Sequence, residues 1–241
     1  MQPLQKPERN YRSSLVFLAG LLLASAAAVS MDGAGAFLRT AHRAEVDFST
    51  ARPPAQPAEL SPADWEAARV AWRYFEQNYR PETGLVDSVA GFPSGTLWDQ
   101  GSYLHALNAA EGIGLISGEV FGARVNALLD GLSRIALFEG KLPNKVYHSR
   151  TLAMVYYRNN AVEGGVGWSA LDIARMLLAL RVLEHRHPGF GPQVRAVISR
   201  WQLEEMAQRG ELFGAARQGG VTVYQQEGRI GYEQYGARAA V

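Results

Sequence analysis

Apolar residues recur at helical spacing along most of this chain. Trp65, Ala68, Trp72 and Phe75 fall three or four positions apart, a stripe that predicts a helix with one face on a core. Ser61-Pro62-Ala-Asp64 opens that helix with a serine cap, a proline at the first helical position and an acid at the third. A second helix is predicted from about Asp99 to Leu115. A third, from about Glu119 to Leu137, has Val125, Leu128, Leu129 and Leu132 on one side. A fourth, from Ser169 to about His185, contains Ile173-Ala-Arg-Met-Leu-Leu-Ala-Leu180 and reads as an inner helix covered on most sides. A fifth runs from Pro192 to about Gln208. Long stretches without period precede the second and fourth helices and Tyr232, and loops of that length are usually functional or disordered. The order is outer helix, then inner helix, with the long loops gathered at one end. The expected fold class is therefore all-α: helical hairpins of the α/α-toroid type, about three hairpins of a six-hairpin barrel, with the long loops on one face.

A repeated motif marks the start of each inner helix. Gly95-Thr-Leu-Trp98-Asp99-Gln100, Gly165-Val-Gly-Trp168-Ser-Ala-Leu-Asp172 and Gly228-Arg-Ile-Gly-Tyr232-Glu233-Gln234 each place a glycine-containing loop, an aromatic ring and an acid in that order. The copies recur every roughly 65–70 residues, the length of one helical hairpin with its loops. A ring beside a carboxylate suits sugars.

Composition narrows the classes of function. Hydrophobic residues make up 47% of the chain, enough for a sizeable core, and 24 basic residues nearly balance 23 acidic ones. No basic run is long enough to suggest a nucleic-acid partner. The absence of cysteine excludes disulfides and thiolate chemistry. The five histidines are not spaced as a metal site, so no metal and no cofactor are expected. Lys6, Arg9 and Arg12 precede an uncharged apolar run from Leu15 to Met31 that becomes rich in small residues. This is the order of an export signal, and residues 1–36 read as a signal peptide or an uncleaved signal anchor. An exported protein is expected, periplasmic, secreted or anchored to the inner membrane. Residues 37–60 include Ala51-Arg-Pro-Pro-Ala-Gln-Pro57 and read as a linker, leaving 61–241 as the folded domain.

Five ordered motifs carry a resemblance to a known family. Thr83-Gly-Leu-Val-Asp87, Gly95 to Leu107, Leu142-Pro-Asn-Lys-Val-Tyr147, Gly167-Trp-Ser-Ala-Leu-Asp172 and Gln226 to Tyr235 together resemble the bacterial domain-of-unknown-function 3131 family. That family looks related to the glucoamylase-like six-hairpin glycosidases. The resemblance implies an α/α toroid that holds a glycan in a central cleft at the loop face. The chain stops at Val241 before the remainder that a closed toroid requires. The domain is therefore expected to be incomplete, its open edge covered by a partner or by a missing C-terminal half.

Glycoside hydrolysis generally needs two carboxyl groups flanking the bond. Asp99, Asp172, Glu227 and Glu233 are the candidates. Asp99 and Asp172 each follow a hydroxyl residue by three positions, so both also fit a helix cap. Glu233 and Glu227 have no such capping pattern and are the stronger candidates for work on a ligand. Trp98, Trp168 and Tyr232 either stack on sugar rings or plug the core. Asn144 and Lys145, stiffened by Pro143, either contact substrate or satisfy the backbone of their own loop. Asp87 is a further binding candidate. The expected function is a glycoside-hydrolase-like protein acting on or binding an envelope or extracellular polysaccharide or oligosaccharide. The alternative is a non-catalytic glycan-binding or helical scaffold protein.

Overall fold

The computed structural model describes residues 58–208, 210–227, 231–232 and 235–236. The chain divides into Met1–Ala58 and Glu59–Val241, and the architecture below belongs to the second part. The expected signal segment and nearly all of the expected linker lie outside the described residues. No helix among the described residues is long and apolar enough to cross a membrane.

The helices form where the apolar stripes and caps direct. Helix α1 (Pro62–Asn78) starts with a full capping box, in which Ser61 and Asp64 satisfy each other's free amides. Helix α2 (Leu97–Gly112) opens with the same device between Thr96 and Asp99. Helices α3 (Gly118–Arg134) and α4 (Ala170–Arg186) start at Ser117 and Ser169, whose hydroxyls accept the amide of the third residue onward. Helices α2 and α4 each bury residues all along their length, and they pack chiefly on each other. Helix α1 contributes little more than Trp72 and Asn78 to the interior. At Gly101 the two inner helices come so close that an added Cβ would lie 3.1 Å from the Arg175 backbone. Both begin at the same end of the molecule, where Trp98 and Asp172 lie in their first turns.

The all-α expectation is overturned. Seven short strands form three small antiparallel sheets among the described residues. Strand β1 (Ser94–Gly95) pairs with β4 (Tyr147–His148), and β2 (Leu137–Phe138) pairs with β3 (Leu142–Pro143). Strands β5 (Ala207–Gln208), β6 (Glu211–Gln218) and β7 (Val221–Gln226) make the third sheet in that order. The protein is therefore of mixed helix and strand, with helical hairpins as its frame. The strands occupy the stretches that lack a helical period. Strands β6 and β7 turn through Gly219 and Gly220, both at positive φ, as a two-residue hairpin turn requires.

The fifth helix is shorter than its sequence pattern suggests. Helix α5 (Gly191–Ile198) stops well before Gln208. Arg200 turns inward and donates to the carbonyls of Leu132 (2.9 Å) and Ile135 (2.8 Å) at the end of α3. Trp201 is buried beside it, and the Gln202 amide donates to the Lys141 carbonyl at 3.0 Å. These contacts draw the chain away from the helix axis and into β5. Of the third inner helix, Tyr232, Tyr235 and Gly236 are described as helical.

The first long loop is fastened to its neighbours through buried polar groups. Gln100 accepts from the Val86 amide (3.0 Å) and donates to the Val86 carbonyl (2.9 Å). Gly131 of α3 sits against the same loop, where a Cβ would come 2.0 Å from the Thr83 carbonyl oxygen. Gly122, in the same helix, would meet nothing within 4 Å. The two positions predict opposite outcomes. Gly131→Ala should lower stability by about 1–3 kcal/mol through overpacking, whereas Gly122→Ala should raise it by about 0.5–1 kcal/mol through helix propensity. Urea unfolding of both variants measures the difference. Equal midpoints would mean that the loop does not dock on α3.

Candidate functional site

A cleft of about 560 Å³ opens where the inner helices start. Trp98 of α2, Ser169, Leu171 and Asp172 at the start of α4, Gln225, Gln226 and Glu227 at the end of β7, and Tyr232 line it. The cleft is a consequence of chain direction. Two parallel helices begin there, and the β6–β7 hairpin folds back over the start of the second. Strand β6 is held by the Ala215 amide on the Trp168 carbonyl (2.9 Å) and the Arg217 amide on the Val166 carbonyl (3.0 Å). Gly167, at φ +124°, lets the strands approach, since a Cβ there would lie 1.9 Å from the Ala215 oxygen.

The two acids at the start of α4 divide their work in an unexpected way. Glu227, not Asp172, supplies the negative charge that caps the helix. Its Oε2 accepts from the Leu171 amide (3.1 Å) and from the Ser169 hydroxyl (3.1 Å). The Ser169 oxygen in turn accepts from the Asp172 amide at 3.3 Å. Helix α4 thus lacks the reciprocal contact from its third residue that completes the boxes of α1 and α2. The Asp172 carboxyl is left half-buried on the cleft wall. Burial pushes it up to about 6, with the Ser169 hydroxyl opposing. The charges of Glu227 and Asp99 raise it further, and Lys145 lowers it. A group of this kind holds its proton close to neutral pH, as a general acid must.

Asp99 is committed to α2. Its Oδ2 accepts from the Thr96 amide (2.9 Å), the Thr96 hydroxyl (2.7 Å) and the Ser88 hydroxyl. Tyr232, 49% exposed, stands beside Trp98 with ring centres 5.8 Å apart and planes tilted by 43°. This pair leaves an aromatic surface facing the cleft. Lys145 is half-buried and near enough to Asp172 to affect its charge. Tyr157, in the middle loop, is 60% exposed, and its phenol is raised first by burial and then by the charges of Asp172 and Glu227.

Three candidates stand away from the cleft. Trp168 is fully buried between Phe138 and Tyr224, and its indole N–H donates to the Phe213 carbonyl at 3.1 Å. It is a core plug under the hairpin rather than a stacking surface. Asn144 is buried too. Its Nδ2 donates to the Val146 carbonyl (2.7 Å) and its Oδ1 accepts from the Val166 amide (2.7 Å), so it serves its own loop. Asp87 is buried in a salt bridge with Arg80 and also accepts from the Ser149 hydroxyl. It ties the first long loop to the second. Glu233 lies outside the described residues. Among the described residues, no His, Asp and Glu side chains group as a metal site would require.

Arg175 escaped the sequence reading. It lies one turn beyond Asp172 on α4, with its guanidinium carbon 5.2 Å from the Trp98 ring centre. The available signal was a lone cation in the otherwise apolar run of an inner helix.

Residues 66–240 match the family described as a protein of unknown function, DUF3131. The chain belongs to that family. No curated protein matches this DUF3131 chain. Among solved structures it is similar to a protein described as a glucoamylase from Bacteroides fragilis, at 15% identity and a TM-score of 0.44, over 64% of this chain and 37% of that one. It is also similar to an endo-β-1,2-glucanase from Chitinophaga pinensis, solved with sophorotriose and glucose, at 17% identity and a TM-score of 0.44, over 61% of this chain and 36% of that one. The DUF3131 chain thus aligns with little more than a third of either structure.

The raised Asp172 makes stability depend on pH with a definite sign. Unfolded, this aspartate ionises near 3.8, while the folded protein holds the proton to about 6. Its contribution is therefore complete below pH 4 and is lost as pH rises through 6, by on the order of 3 kcal/mol. Asp172→Asn should remove that loss. The variant should be more stable than the natural protein at pH 7.5 and about equal to it at pH 3.5. Thermal unfolding at the two pH values checks this, and an equal effect at both would place the carboxyl in water.

Proposed function

We propose that the cleft is a carbohydrate site in an exported, glycoside-hydrolase-like protein, with Asp172 as the proton donor. The observation that supports this most is a carboxyl protonated to about pH 6 in a cleft whose wall carries the Trp98–Tyr232 pair. Indole and phenol faces stack on sugar rings, and the amides of Gln225 and Gln226 suit hydroxyl groups. In the reaction, Asp172 gives its proton to the leaving glycosidic oxygen as that oxygen parts from the anomeric carbon. Water adds to the carbon and loses its proton to a second carboxylate. Glu227 is the second carboxyl on the wall, and Glu233, next to Tyr232 in the chain, is the other candidate. The basic residues before Leu15 to Met31 support an envelope or extracellular glycan as the target.

A second reading, a glycan-binding module without catalysis, is favoured by one contact. Glu227 already spends Oε2 on the helix start, and Oε1 lies against Gly214. One experiment separates the two. Reducing-end release and binding are measured over a panel of β-glucans and bacterial exopolysaccharides. Hydrolysis should fall as pH rises above about 6. Asp172→Asn should cut kcat by roughly 10²–10⁴ while preserving binding, and Trp98→Ala should weaken binding. Binding with no product from any glycan leaves the module reading, and no binding at all overturns both.

A further inference from the structure

A second chamber of about 210 Å³ adjoins the cleft and shares Trp98 and Tyr232 with it. Arg175, Gly231 and Tyr235 complete its lining. Its chemistry is opposite to that of the cleft. Among the described residues no carboxylate pairs with Arg175. The contacts of its guanidinium are neutral: Nη1 donates to the Tyr235 hydroxyl (3.2 Å) and Nη2 to the Ser102 hydroxyl (3.4 Å). The guanidinium carbon lies 5.2 Å from the Trp98 ring centre and 5.9 Å from that of Tyr235. Nε is buried with no hydrogen-bond partner among the described residues. The charge is felt nearby, since His105 is lowered by burial first and then by Arg175.

Among the described residues this guanidinium is held by ring faces and hydroxyls alone, an arrangement that keeps donors and charge for an incoming anion. We propose that this chamber is a subsite for the carboxylate of an acidic sugar, so that the natural glycan contains uronic acid residues. The inference rests on the carbohydrate reading of the cleft. A sugar seated on the Trp98–Tyr232 wall has Glu227 and Asp172 toward one side and Arg175 toward the other. Its carboxylate is repelled by the first side and drawn to the second, which fixes which way round the ring sits. A neutral sugar gains no such preference. The planar fork of arginine suits a carboxylate better than the point charge of lysine would.

The test uses matched pairs. A panel of acidic bacterial exopolysaccharides is compared with the same polymers after chemical reduction of their carboxyl groups to alcohols, with binding to the full chain measured by calorimetry at low salt. The natural protein should bind at least one acidic form about tenfold or more tighter than its reduced partner, a preference that shrinks as salt rises. Arg175→Gln should bring the ratio near one, and Arg175→Lys should restore part of it. Should Arg175→Gln fail to fold, the ratio in the natural protein still decides. Equal binding of both forms across the panel overturns this inference and leaves the carbohydrate reading standing. No binding to any form, acidic or reduced, overturns both.

Discussion

The parallel packing of α2 on α4 governs the rest of the molecule. Two neighbouring helices that run the same way need a return helix between them, which α3 provides, and they bring two sets of free amides to one end. The contact at Gly101 brings the helix axes close, so the amides and the loops before them converge. Each helix start attracts an anion. Helix α2 takes one from its own third residue, Asp99, and α4 takes one from a distant strand through Glu227. Carboxylates therefore gather at this end for a structural reason, before any ligand is considered. What makes the cluster chemically useful is its inequality. Two of the acids have their charge held by helix amides and hydroxyls, and Asp172 is left in a partly dry wall where its proton is hard to remove.

The helical frame was legible in the sequence because it is written in local terms. Caps at Ser61, Thr96 and Ser169 and stripes three and four apart place the first four helices to within a few residues, though not the end of the fifth. The short strands were not legible, since two residues carry no period. Strands β6 and β7 were a different matter, because Gly219-Gly220 followed by Val-Thr-Val-Tyr is a hairpin signal that the long-loop reading passed over. Trp98, Asp172, Glu227 and Tyr232 all line one cleft. Their division of labour was hidden. It depends on Glu227 reaching Ser169 across the fold, a pairing that no local spacing reveals.

Three residues that looked chemical and proved structural each have a polar group satisfied by an atom distant in sequence. Asp87 meets Ser149 and Trp168 meets Phe213, while Asn144 meets Val166. Long loops buried against a core leave many backbone groups to satisfy. Polar and aromatic side chains are recruited for that task before any are spared for a ligand. Arg175 is the reverse case, a charge in an apolar run whose surroundings become visible only once the fold brings Tyr235 to it.

Glu227 belongs to a hairpin that zips onto the backbone just ahead of α4. If that hairpin lifts, the helix loses its cap and Asp172 meets water in the same event. The acidity of Asp172 is then a gauge of closure: a reluctant acid when the hairpin is shut and an ordinary aspartate when it is ajar. The reluctance of Asp172 to ionise thus depends on the packing of this hairpin and not on the residue alone.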